Sequence, residues 1–154
     1  MTADTVTEDT VLRLERLIPA PPEDVFDAWT EPQILAQWWG PEGFTTPSPQ
    51  VDLRVGGSYR TVMIAADGGE FIATGMYREI ERPKRLIFTW AWEKEGARGH
   101  ETQITVTFDA APGGTKLVFL QQRFQAADER NRHQHGWNSM FNRLERLHTW
   151  LGES

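Results

Sequence analysis

The chain has 154 residues, a formal charge of −6 from 16 basic and 22 acidic side chains, and no cysteine. That length suits one domain with a single sizeable core. The lack of cysteine excludes disulfides, thiolate catalysis and cysteine-ligated zinc or iron–sulfur, and the acidic balance argues against generic binding to nucleic acid or to an anionic membrane.

Residues 1–10 are polar and aperiodic, which predicts a disordered tail ahead of one domain over 11–154. They lack the basic start and apolar stretch of a signal peptide, and no apolar run approaches the ~20 residues that span a bilayer. A soluble, cytoplasmic protein is the expectation. Val11 to Ile18 alternates apolar and charged residues, a first strand. Pro19, Pro21 and Pro22 end it, and Pro22 opens a short helix carrying Glu23 and Asp24 in its first turn and Val25, Phe26 and Trp29 at helical spacing. Pro32 breaks that helix, and a second short one carries Ile34, Leu35, Trp38 and Trp39 before Gly40-Pro41.

From about 50 to 124 the period is two. Strands are predicted at Val51–Val55, Tyr59–Ala65, Glu70–Ile80, Arg85–Trp92, Glu101–Phe108 and Thr115–Arg123. Gly56-Gly57, Asp67-Gly68-Gly69, Arg82-Pro83 and Pro112-Gly113-Gly114 mark turns, and Glu93–Gly99 reads as a charged loop. Strand parity puts Tyr59, Thr61 and Met63 on one face, and groups Leu86, Phe88 and Trp90, then Ile104, Val106 and Phe108, then Leu117, Phe119 and Gln121. The period changes to 3.6 over about 126–151, where His133, Trp137, Met140, Phe141, Leu144, Leu147 and Leu151 share one face. A helix of about 25 residues is roughly 38 Å long, enough to cross a small domain. The fold class is therefore α+β: a seven-stranded curved antiparallel sheet, two short helices and a long C-terminal helix. A sheet that curves around a rod leaves a gap where the two surfaces diverge, so a cavity is expected between them.

Ala20-Pro21-Pro22-Glu23-Asp24-Val25-Phe26-Asp27-Ala28-Trp29 resembles the opening motif of the activator-of-heat-shock-protein-90-ATPase-like family, within the START-like (SRPBCC, birch-pollen-allergen-like) superfamily. Trp38-Trp39-Gly40-Pro41 matches its most recognisable tetrapeptide, with Gly43-Phe44 close behind. Asp52-Leu53-Arg54-Val55-Gly56-Gly57 is similar to its DLRPGG segment, with Val55 where proline is usual. Gly75–Ile80, Arg85–Trp90, Gly114-Thr115 and His133-Gln134-His135-Gly136-Trp137 follow in the expected order, so the likeness covers about residues 11–151. The resemblance implies the helix-grip fold. It does not choose a function, because the superfamily includes lipid carriers, hormone and allergen proteins, polyketide cyclases and co-chaperone domains. The co-chaperone that names the family has a further N-terminal domain, and only ten residues precede Val11 here, so ATPase activation is not carried over.

Seven Trp, eight Phe and two Tyr need either a large core or an aromatic-lined cavity. The expectation taken forward is a binding site for a small apolar or aromatic molecule between sheet and C-terminal helix. Its candidate residues are Trp38, Trp39, Phe44, Tyr59, Met63, Phe88, Trp90, Phe119, Gln121, His133, Trp137, Met140 and Phe141, with Tyr59, Gln121 and His133 as the polar orienting groups. The alternative reading of the same rings is a filled core, with Trp38 and Trp39 merely anchoring the short helices. An enzyme of cyclase or hydrolase type would use His133, or Glu79 behind it, to move a proton. A chaperone-contacting module or a homodimer is a third reading and calls for an exposed apolar patch. No catalytic set, cofactor or metal is assigned: His135 and Ser139 lack an orienting acid, His133 and His135 point apart on a helix, and no phosphate-loop glycine pattern occurs.

Overall fold

The computed structural model describes residues 10–153. Strand β1 spans Val11–Ile18, followed by helices α1 (Pro22–Thr30) and α2 (Pro32–Trp38), each with proline at its start, where the missing N–H costs nothing. Strands β2 (Gln50–Val51), β3 (Ser58–Ile64), β4 (Glu70–Glu81), β5 (Arg85–Lys94), β6 (Ala97–Arg98), β7 (Thr102–Ala111) and β8 (Gly114–Gln122) precede helix α3 (Ala127–Glu153). The sheet is antiparallel in the order β1-β8-β7-β5-β4-β3-β2, with β6 paired to the end of β5. The α1–α2 segment thus carries the chain from one edge of the sheet to the other.

Two local expectations are corrected. Val51–Val55 is not a strand beyond Val51: Asp52 to Gly57 form a compact turn in which the Asp52 carboxylate takes the Arg54 guanidinium and Gly57 N–H donates to Arg54 carbonyl. A Cβ at Gly57 would lie 2.1 Å from the Asp52 carbonyl oxygen, so glycine is what lets the turn close. Glu93–Gly99 is not an open loop but a hairpin, β5 to β6, turning on Glu95 and Gly96, both at positive φ. The predicted tail over residues 1–9 lies outside the described residues, while the Thr10 carbonyl accepts from Phe124 N–H at 3.1 Å. Leu151 also lies outside the described side chains.

The four parity groups all turn inward. Tyr59, Thr61, Met63, Leu86, Phe88, Trp90, Ile104, Val106, Phe108, Leu117, Phe119 and Gln121 are buried on the concave face. Helix α3 lies across that face, held at two places by arginine. Arg16 on β1 donates to Asn138 and Asn142, pairs with Glu145 and stacks its guanidinium over Phe141. Arg143 on α3 donates to the carbonyls of Gly40 at 2.6 Å and of Pro41 and Gln37 at 3.3 Å, satisfying the free end of α2.

The gap between sheet and helix is not uniform. Trp29 from α1 fills one end of it and touches Trp38, Trp39, Phe88, Phe108, Phe119, Trp137 and Phe141, at centroid separations from 4.9 Å to Trp38 out to 6.4 Å to Phe108. A void of ≈ 10 Å³ lies beside it, bounded by Trp39, Tyr59, Thr61 and Phe88 among others. At the other end, beyond the reach of α1, the gap stays open.

Candidate functional site

The open end is a cleft of ≈ 570 Å³ between the β3–β4–β5 tips and the first half of α3. That volume lies within the roughly 300–1,000 Å³ range of small-molecule sites. Its floor is Met63, Trp90, Trp137 and Met140, all buried. Its mouth carries Phe71 and Trp92, 48% and 37% exposed, with Glu70, Glu93, Lys94 and Arg132 around them. Pro41 and Phe44 form the end wall.

That end wall explains the Trp-Trp-Gly-Pro tetrapeptide. Trp38 Nε1–H donates to the Ala28 carbonyl at 2.8 Å, tying α2 to α1, and Trp39 Nε1–H donates to the Thr61 hydroxyl at 3.1 Å, tying α2 to β3. Gly40 sits at φ +104°, a conformation open to glycine, and turns the chain toward α3. There the Glu42 N–H donates to the Ser139 hydroxyl at 2.8 Å and the Glu42 carboxylate meets Arg146 at 2.7 Å. The Ser139 hydroxyl thus accepts from backbone, His135 is exposed, and no hydrogen bond joins the two among the described residues.

Of the thirteen sequence-predicted site residues, Phe44, Met63, Trp90, His133, Trp137 and Met140 border the cleft. Trp38, Phe119 and Phe141 lie in the filled end, where their rings pack on one another and on Trp29. Trp39, Tyr59 and Phe88 border only the ≈ 10 Å³ void. The polar groups also differ from expectation. The Tyr59 hydroxyl is spent on the Thr89 carbonyl at 2.6 Å, and burial pushes its pKa well up. Gln121 is a link in the core: its Oε1 accepts from Trp137 Nε1 at 2.9 Å, and its Nε2 donates at 2.8 Å to the Thr102 hydroxyl, which donates to the Trp90 carbonyl. Gln121→Leu strands the buried Trp137 N–H, and we expect a stability loss of about 1–3 kcal/mol in urea unfolding. Glu79 faces outward and pairs with Arg85.

His133 is held on both ring nitrogens. Its Nδ1 lies 2.8 Å from the Glu129 carbonyl, and its Nε2 lies 3.2 and 3.3 Å from the indole N–H groups of Trp92 and Trp90. A carbonyl only accepts and an indole only donates, so the ring is fixed as the neutral Nδ1–H form with Nε2 accepting twice. Burial lowers its pKa; the Glu129 carbonyl and carboxylate oppose this, and Arg132 adds to it. Among the described residues, the charged side chains that act on it are Glu129 and Arg132, and the facing groups on β5 and at Phe124 are aromatic. His148 is depressed in the same sense by burial, against Asp24. A histidine whose folded pKa is below its unfolded value stabilises the fold above about pH 6.5, and that contribution is lost as pH falls from there to the folded pKa. Thermal melts therefore fall in Tm from about pH 7.5 to 5.5, and H133Q/H148Q flattens the profile. The indole N–H resonances of Trp90 and Trp92 report the folded ring itself, and they move only at a pH below that of an ordinary histidine. A flat wild-type profile contradicts the neutral ring.

Sequence reasoning missed Phe71, Trp92, Lys94, Arg132 and Gly136 at the cleft. Trp92 and Lys94 continue the parity of Phe88 and Trp90. Phe71 shares the parity of the buried Ala73 and Tyr77, and Arg132 and Gly136 stand four apart on the face of Met140. Gly136 is a glycine inside a long helix, and a Cβ there would meet nothing within 4 Å.

Among the described residues, no helix is long and apolar enough to cross a membrane, and no group of three or more His, Asp or Glu is placed to hold a metal. A search of curated proteins finds no match. Solved structures do match. A protein from Chromobacterium violaceum is 29% identical, with a TM-score of 0.82 over 90% of this chain and 96% of that one. The AHSA1 protein from Silicibacter pomeroyi is 29% identical, with a TM-score of 0.81 over 89% and 96%. A protein from Rhizobium leguminosarum is 31% identical, with a TM-score of 0.75 over 90% and 93%. The family model described as Activator of Hsp90 ATPase homolog 1-like protein matches residues 19–149, and with the helix-grip architecture around it the chain belongs to that family, in the START-like superfamily.

Proposed function

We propose that this protein is a cytoplasmic binding protein for a small hydrophobic or aromatic molecule, held in the cleft between the β3–β5 tips and α3. The observation that carries this reading is the ≈ 570 Å³ cleft, floored by two tryptophans and two methionines, beside an end of the gap that Trp29 and its neighbouring rings fill. A protein that needed only a core would close that space. Gly136 supports the same reading. A mid-helix glycine costs roughly 0.5–1 kcal/mol relative to alanine, and here the missing side chain leaves room in the cleft. An enzymatic reading has less support, because the one histidine at the cleft, His133, has both nitrogens engaged within the protein.

The test uses the methionine methyls as reporters. Met63 and Met140 line the cleft, while Met76 is exposed and outside it. A panel of medium-chain acids, alcohols and bicyclic aromatics is added to methyl-labelled protein. Members that bind shift the Met63 and Met140 signals and leave Met76 in place. We expect Gly136→Ala to raise stability by about 0.5–1 kcal/mol and Gly136→Leu to fold but lose these shifts. If no member moves Met63 or Met140, the binding reading fails.

A further inference from the structure

The charges at the mouth of the cleft are not balanced in the way their number suggests. Two carboxylates and two cations line it, Glu70 and Glu93 against Lys94 and Arg132. One of the carboxylates, Glu93, already has a cation. Arg60, from β3 next to the cleft, donates to Glu93 at 2.9 Å, and the hydrogen bond and charge of Glu93, then the charge of Glu70, raise the Arg60 pKa. Lys94 and Arg132 have no ion-pair or hydrogen-bond partner among the described residues, although the chain as a whole carries an excess of acid. They come from opposite walls, Lys94 from the end of β5 and Arg132 from the first turns of α3. Directly inside them the lining turns apolar, with Trp92, Trp90 and Trp137. The cleft therefore runs from a mouth with two directly unpaired cations to an aromatic floor.

We propose that the ligand is an amphipathic organic anion, with an apolar or aromatic body on the Trp90–Trp137–Met140 floor and a carboxylate-like head at the mouth shared by Lys94 and Arg132. The inference rests on the binding reading above and adds the sign of the head group. A neutral ligand would leave both cations with water alone. A cationic one would face Lys94 and Arg132, and of the two carboxylates Glu93 is already paired with Arg60. An anion gains from both free cations, and because they sit at a solvated rim the gain is modest and weakens with salt.

The experiment compares decanoate, decanol and decylamine, all below their aggregation limits, by titration of the Met63 and Met140 methyl signals. Decanoate is expected to bind on the order of 10-fold more tightly than decanol in low salt. Half-molar sodium chloride should shrink that ratio. In Lys94→Gln/Arg132→Gln the ratio should fall to about one while decanol affinity stays unchanged, a result that loss of folding cannot mimic. Equal binding of decanoate and decanol to the wild type overturns the anion and leaves the binding reading standing. Tightest binding by decylamine overturns it in favour of Glu70 and Glu93 setting the sign. Binding by none of the three, together with a silent wider panel, removes both readings.

Discussion

Replacing Trp29 by alanine is expected to cost about 3–5 kcal/mol, a large share of the ~5–15 kcal/mol that holds a domain of this size together. Trp29 is 2% exposed and its ring meets seven others, contributed by α2, α3, β5, β7 and β8 as well as by the Trp39 junction. Removing it deletes a large apolar surface and the edge-to-face contacts that add to area burial, and leaves a cavity that rigid neighbours cannot fill. The Trp29 indole N–H has no hydrogen-bond partner among the described residues, so the ring acts through shape alone. Trp29→Phe keeps most of that shape and removes a buried unpaired donor. Its cost should be less than half that of alanine. Urea unfolding of the two variants checks this. A loss below about 1 kcal/mol for Trp29→Ala would mean that the filled end collapses freely and does not define where the cleft begins.

The position of that boundary was the part of the molecule least legible in the chain. Period-two alternation put the concave face on Tyr59, Phe88, Phe119 and their parity mates, and those side chains are buried as expected. Burial, however, does not distinguish a ring that faces a cavity from one that faces another ring. The distinction is made by Trp29, Trp38 and Trp39, brought in from a crossover segment whose landing place no local pattern encodes. The cleft's mouth was partly readable. Trp92 and Lys94 follow Trp90 at the same parity, and Arg132 and Gly136 follow from Met140 at helical spacing. The charged run Glu93–Gly99 has the composition of a loop, whereas the Glu95-Gly96 hairpin extends β5 into the rim. Polar residues misled in a different way. Gln121 and Tyr59 looked like ligand-orienting groups because they sit on an apolar face, yet each is consumed by a partner that only the fold supplies, Trp137 and Thr102 for one and the Thr89 carbonyl for the other.

The Thr89 carbonyl also sets the second large effect, that of Gly75→Ala. Gly75 lies opposite Tyr59 in the β3–β4 ladder, and on its other side β5 departs from regular pairing: Met76 N–H donates to the Thr89 hydroxyl at 2.9 Å, and the register slips between Tyr77 and Glu79. A Cβ at Gly75 would stand 1.8 Å from the Thr89 carbonyl oxygen and 2.5 Å from the Tyr59 ring. The first neighbour is backbone and cannot swing away, and it is also the acceptor of the Tyr59 hydroxyl. Alanine therefore has to push β5 off β4 where Phe88 and Trp90 enter the interior, and the expected loss is at least about 3 kcal/mol, beyond ordinary overpacking. Removing the ring separates the two causes. Because the backbone contact is the shorter one, Tyr59→Ala should not rescue Gly75→Ala, and the double variant should be less stable than either single one in urea unfolding. Rescue by Tyr59→Ala would place the clash on the ring instead, and would show that the β4–β5 seam, and with it the wall of the cleft, yields to a methyl group.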